Sequence, residues 1–263
     1  MKVTSSTTAF STSSDVGEPK KTVRLLGSVT SKAYVVATVA PVIVALLLSF
    51  AVGFAFDYGT LLNYEWTCGK ALLPSISRVI NLPKERTICN LVLIGHVFLR
   101  PMFTLHYYQV CRRPAEKVRY PTIFKILLAS VPISNICEFI FTAALTVCGE
   151  RENSQLHVTF FCLFCCSCNV YFVIVTLMFR TSHFYTWHKN ASLSFKLKAA
   201  LVIINFILLP TTSLFFVLYW QLCVSFAYDV FAILEYTTVI IIITFHMTAV
   251  LDFDYRYAFV ISK

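Results

Sequence analysis

Charge is scarce in this chain, and glycine scarcer still. Only 13% of its 263 residues are Asp, Glu, Lys or Arg, about half the ~25% of an ordinary soluble domain. Seven glycines and nine prolines exclude a fibrous or low-complexity chain, and no repeat of fixed period runs through it. Also missing are the glycine loop that cradles phosphates, the nucleophile elbow and the H-E-x-x-H zinc motif. No metal and no cofactor is expected. Acidic residues number 13 against 22 basic ones, a formal charge of +9, yet nucleic acid is not the expected partner. The basic residues sit in short clusters between apolar runs, which is how a membrane protein fixes its orientation.

What is present is hydrocarbon. The chain is 57% hydrophobic with a mean hydropathy of +0.73, and its apolar runs predict an all-α polytopic membrane protein. Six spans are expected at about 33–56, 87–110, 126–147, 158–179, 199–220 and 230–250, each able to cross a ~30 Å hydrocarbon core. Residues 1–32 read as a Ser/Thr-rich cytosolic tail without a core, and 255–263 as a short cytosolic tail. Pro101 is expected to kink the second span. Most Lys and Arg fall in the tails and the second and fourth loops, which places both termini in the cytosol. On that map the lone sequon, Asn190-Ala191-Ser192, is cytosolic and stays unglycosylated.

The last span, DVFAILEYTTVIIIITFHMTAVLDFD over residues 229–254, organises the rest. It contains Glu235 and His246, which lie about three helical turns apart and so share a face. A charge at mid-membrane costs roughly 2.5–3.5 kcal/mol on insertion scales, so it turns towards protein or a water-filled cavity. The second span adds His96 and Arg100, one turn apart on one face, and the third adds Glu138. Pairing is nearly forced: Arg100 with Glu138 is the first choice, Arg100 with Glu235 the second. The structural reading is an ion pair that only fixes helix packing. The functional reading is a ladder that relays protons, holds a lipid head group or activates a hydroxyl.

Ten cysteines divide by position. Cys162, Cys165, Cys166 and Cys168 crowd the fourth span without a His or carboxylate beside them, and read as small packing residues. Cys68, Cys89, Cys148 and Cys223 fall at or beyond the lumenal face, an oxidising side. A disulfide between Cys68 and Cys223 would tie the first loop to the mouth of the last span; unpaired thiols are the alternative. Cys111, beside Arg112 and Arg113, is either palmitoylated or a plain thiol.

The final span, with FAILEYT from Phe231, FHMTA at 245–249 and Asp252-Phe253, resembles that of the post-GPI attachment to proteins factor 2 family. Cys68-Gly69 followed by LPSIS resembles that family's first lumenal loop, and His96 with Arg100 its second helix. Glu138, His157 and Ile203-Ile204-Asn205-Phe206 also fall where expected. The resemblance covers about residues 25–255. It implies a Golgi or endoplasmic reticulum protein acting on GPI-anchored proteins, in which lyso-GPI receives a saturated chain from an unidentified donor. On that reading Arg100, Glu138 and Asp252 bind substrate, and His96 or His157 serves as base. Glu235 lines the site, and His246 meets the acyl donor. The H-x(4)-D acyltransferase motif is absent, since His246 and Asp252 are one residue too far apart. Two rivals remain at this point. One is a non-catalytic partner that presents lyso-GPI to an acyltransferase, the other a proton-coupled transporter.

Overall fold

The computed structural model describes residues 23–62, 68, 71–112 and 118–262. Residues 1–22 of the expected tail lie outside them. Among the described residues six helical segments are long and apolar enough to cross a membrane, and the chain is a multi-pass membrane protein. In lipid every backbone polar group must be satisfied within the segment, which leaves the helix as the only form for these charge-poor runs.

The first span is α1 (Ser31–Phe56). Short α2 (Tyr58–Leu62) and α3 (Ile76–Val79) follow it. The second span comes in two pieces, α4 (Pro83–Leu99) and α5 (Pro101–Cys111). Then come α6 (Pro121–Val147), α7 (Ser154–Thr181), the short α8 (Phe184–Trp187), α9 (Ala191–Leu222), α10 (Ala227–Met247) and α11 (Ala249–Asp252). Each span starts a little before its apolar run, because the starting signals lie outside that run. Thr30 accepts from Ala33 N at 3.2 Å and Asn153 accepts from Leu156 N at 3.0 Å. Pro83 and Pro121 occupy the first turns of α4 and α6, where no N–H is needed. Pro101 interrupts the second span at Arg100 because it cannot donate to the carbonyl four residues back.

Two expectations need correction. Residues 23–30, expected within the tail without a core, form strand β1 (Val23–Thr30), which pairs antiparallel with β2 (Arg256–Ser262) in the short final segment. Both segments carry β-branched and aromatic residues that suit a ladder. The turn into the bundle is tied by Ser31 N donating to Tyr255 O at 2.8 Å. Both ends of the described chain therefore lie at one end of the bundle, the hairpin end. Lys198, within the connection expected between the spans at 158–179 and 199–220, instead lies in the second turn of α9, fully buried. Its ammonium meets Asp252 at 2.6 Å, which is what permits a charge there.

The main core lies towards the hairpin end, where Phe172 of α7 stacks on Phe245 of α10 with ring centroids 3.8 Å apart. At the opposite end the loop before α3 folds back onto α10. Asp229 accepts from Leu72 N and Leu73 N, both at 2.8 Å. Tyr228 donates to Ser75 Oγ at 2.8 Å, and the Tyr236 hydroxyl donates to Pro74 O. A disulfide joins Cys68 to Cys223 across a Cα separation of 4.9 Å.

Candidate active site where two cavities meet

This refolded loop gives Glu235 its surroundings. Ser75 caps α3 by accepting from Arg78 N at 3.1 Å, which aims the first N–H groups of α3 towards α10. Glu235, one face of α10 further in, accepts from Ile76 N at 2.6 Å and from the Ser77 hydroxyl at 2.8 Å. Only 2% of the Glu235 surface is exposed. Its carboxylate is thus held by a backbone N–H and a hydroxyl, the latter a group with lone pairs to spare.

Deeper in the bundle the pairing is of another kind. Arg100 Nη1 and Nη2 reach the two oxygens of Glu138 at 2.8 and 2.7 Å, a fork geometry only guanidinium supplies. The same carboxylate takes His246 Nε2 at 3.3 Å and the Cys168 thiol at 3.3 Å. A carboxylate only accepts, so His246 presents Nε2–H to it. Arg100, Glu138 and His246 are all buried. The pairing of Arg100 is with Glu138, the first of the two sequence choices, and both its terminal nitrogens are engaged.

Two cavities run between these groups. The inner one, of about 140 Å³, is lined by His96, Arg100, Glu138, His157, Glu235 and His246 among apolar side chains. The outer one is larger, about 510 Å³, and its surface is mainly apolar, with Phe161, Phe216, Val217 and Phe231 of α7, α9 and α10 among the residues that bound it. Its volume falls within the ~300–1,000 Å³ of ligand pockets. Ser77, His157, Phe161 and Glu235 line both, so the two chambers share a polar wall.

His157, in the first turn of α7, has its Nδ1 2.7 Å from Cys148 O. A carbonyl cannot donate, so Nδ1 carries the proton and the neutral ring keeps its lone pair on Nε2. That nitrogen is buried and has no hydrogen-bond partner among the described residues. His96 is fixed likewise, Nδ1 against Thr38 O at 2.9 Å, in the inner chamber only. Glu150, between α6 and α7, lines the outer chamber. Burial, reinforced by nearby Glu235 and opposed by Arg78 and Arg151, pushes its carboxyl up to about 7.

Six of the seven residues singled out from sequence as catalytic or substrate-binding therefore line one cavity. Asp252 does not: it accepts from Lys198 and from the Tyr107 hydroxyl at the hairpin end, away from both chambers. Sequence reasoning passed over Ser77 and Glu150. The LPSIS string was legible only as a loop, and Glu150 as one acid of a solvated turn. No group of His, Cys, Asp or Glu among the described residues is arranged to hold a metal ion.

Comparison with known proteins agrees with the resemblance carried by the final span. The chain is 27% identical over 213 residues to "Acyltransferase PGAP2" of Xenopus tropicalis, an alignment covering 78% of this chain and 82% of that protein. No solved structure matches it. Residues 31–255, all six spans, match the model described as the Frag1/DRAM/Sfk1/Cwh43P N-terminal domain, and the chain belongs to that family.

Proposed function

We propose that this protein carries out a lipid-remodelling step of GPI-anchor maturation, the transfer of an acyl chain onto lyso-GPI that keeps GPI-anchored proteins at the cell surface. The observation that carries the proposal is the join between the chambers. An apolar chamber of about 510 Å³ ends on Ser77, His157 and Glu235, where an amphipathic substrate would leave its tail in the apolar part and its reacting oxygen at the polar wall. An acyltransferase similar over most of its length supports the same chemistry.

The geometry supports the following roles. His157 is the base for the lipid hydroxyl, because the residue lines both chambers, its tautomer is fixed by Cys148 O, and its buried Nε2 has no partner among the described residues. Arg100, its fork already filled by Glu138, holds the floor of the inner chamber rather than clamping a phosphate. Both termini face the cytosol, so the chambers lie towards the lumen of the Golgi or endoplasmic reticulum. Asn190 lies at the hairpin end between α8 and α9.

The test is purified protein in liposomes containing lyso-GPI and an acyl donor. Transfer by the wild type, with turnover at least about 100-fold lower in His157→Ala, is expected for an enzyme that relies on this base. Transfer that appears only after a second protein is added would make this chain the presenting partner. A glycan on Asn190 would overturn the orientation.

A further inference from the structure

We propose that Ser77 is the nucleophile of a two-step transfer, carrying the acyl chain as an oxygen ester between donor and acceptor. This rests on the acyl-transfer reading and adds a covalent intermediate to it. Three features single out Ser77. Its hydroxyl donates to Glu235 Oε1 at 2.8 Å, the contact a hydroxyl needs with a base to become nucleophilic. The base is oriented independently, since Glu235 Oε2 is pinned by Ile76 N at 2.6 Å. Ser77 also lines both chambers, so it stands at the shared wall where an acyl chain in the outer chamber ends and where the acceptor hydroxyl is presented.

Ser75, two residues earlier, shows the contrast. Its Oγ accepts from Arg78 N at 3.1 Å and from Tyr228 at 2.8 Å, and it is 2% exposed. Those bonds use its lone pairs for structure. The oxygen of Ser77 spends its proton on Glu235 and accepts no hydrogen bond among the described residues.

The donor is a long acyl chain held in an ester, either the oxygen ester of a phospholipid or a thioester. In the first step Ser77 Oγ attacks the carbonyl carbon and its proton passes to Glu235. The bond from that carbon to the leaving oxygen or sulfur then breaks, and the leaving group takes the proton from Glu235. In the second step the lipid hydroxyl attacks the acyl-Ser77 carbonyl while His157 Nε2 takes its proton. The bond to Ser77 Oγ breaks, and Ser77 recovers a proton from His157. No oxidant or metal enters the balance.

The experiment uses the full chain in liposomes with lyso-GPI, in two arms: one donor is a phospholipid with a labelled acyl chain, the other a labelled acyl thioester. After quenching, peptides are examined by mass spectrometry for an acyl adduct. The expected result is an adduct on Ser77 in one arm, accumulating in His157→Ala while turnover falls about 100-fold or more. Ser77→Ala loses both adduct and turnover, and Ser77→Cys carries the chain as a thioester cleaved by neutral hydroxylamine. Unchanged turnover in Ser77→Ala would overturn the intermediate and leave acyl transfer standing. So would turnover by the wild type with no adduct in either arm, in wild type or His157→Ala. No turnover by the wild type with either donor would overturn both.

Discussion

At the hairpin end, Asp252 faces Lys198 Nζ at 2.6 Å and accepts from the Tyr107 hydroxyl, and the same ammonium donates to Ser194 at 2.6 Å. At the opposite end, Glu235 takes a backbone N–H and a serine hydroxyl beside a cavity of about 510 Å³. Both carboxylates are at least 98% buried. What differs is the company. Asp252 is neutralised by a cation, and that cation, Lys198, stands 4.9 Å from the Phe179 ring centroid. Glu235 keeps a neutral, exchangeable donor and faces open space. A buried charge closed by a counter-ion fixes the fold, whereas one left with a hydroxyl beside a cavity can move a proton. Arg100 with Glu138 is of the closed kind, although it lines the inner chamber.

The sharpest way to break that distinction is to remove one partner from the closed pairs. Lys198→Ala or Arg100→Ala strands a buried carboxylate and is expected to destabilise by about 3–5 kcal/mol, seen as a large drop in melting temperature in detergent. Ser77→Ala and His157→Ala should leave the melting temperature close to wild type while Ser77→Ala loses transfer and His157→Ala slows it about 100-fold or more. If the open pair melts as badly as the closed ones, the contrast is wrong.

The disulfide comes next in size. Cys68→Ser is expected to cost about 2–4 kcal/mol, and reductant should lower the melting temperature of the wild type but not of the variant. The smallest effect concerns Glu150. Its folded-state pKa is raised from 4.5 to about 7, so the folded protein holds that proton more tightly than the unfolded chain does. Stability should therefore fall as pH rises from 4.5 to about 7 and level off above. Thermal melts across that range should show a decline in the wild type that Glu150→Gln lacks.

The spans and the inner pairing were legible in the sequence because both follow from cost. Charge-poor runs have one cheap form in lipid, and Arg100 with Glu138 answers the expense of two intramembrane charges. The eleven-residue spacing of Glu235 and His246 also correctly placed both on the inward face of α10. What could not be read was anything decided by the refolding of a polar loop. Ser77 becomes a candidate only because Asp229, Tyr228 and Tyr236 draw residues 72–75 onto α10, and nothing within the loop announces those partners. The β1–β2 pair joins segments more than 220 residues apart, with Tyr255 N reaching Ser31 Oγ across 224 positions. Lys198 was hidden for a simpler reason: counting basic residues to orient a membrane protein assumes that each one is solvated.

Ser77 and the carboxylate that receives its proton are 158 residues apart in the chain, one just after the first crossing and the other in the sixth. During synthesis the serine emerges with five-sixths of the bundle still unmade. It stays an ordinary hydroxyl until the final helix is delivered. A chain that stalls before that point can be embedded in the bilayer yet has no means of attacking the lipids around it, so the order of translation itself withholds reactivity until assembly is complete.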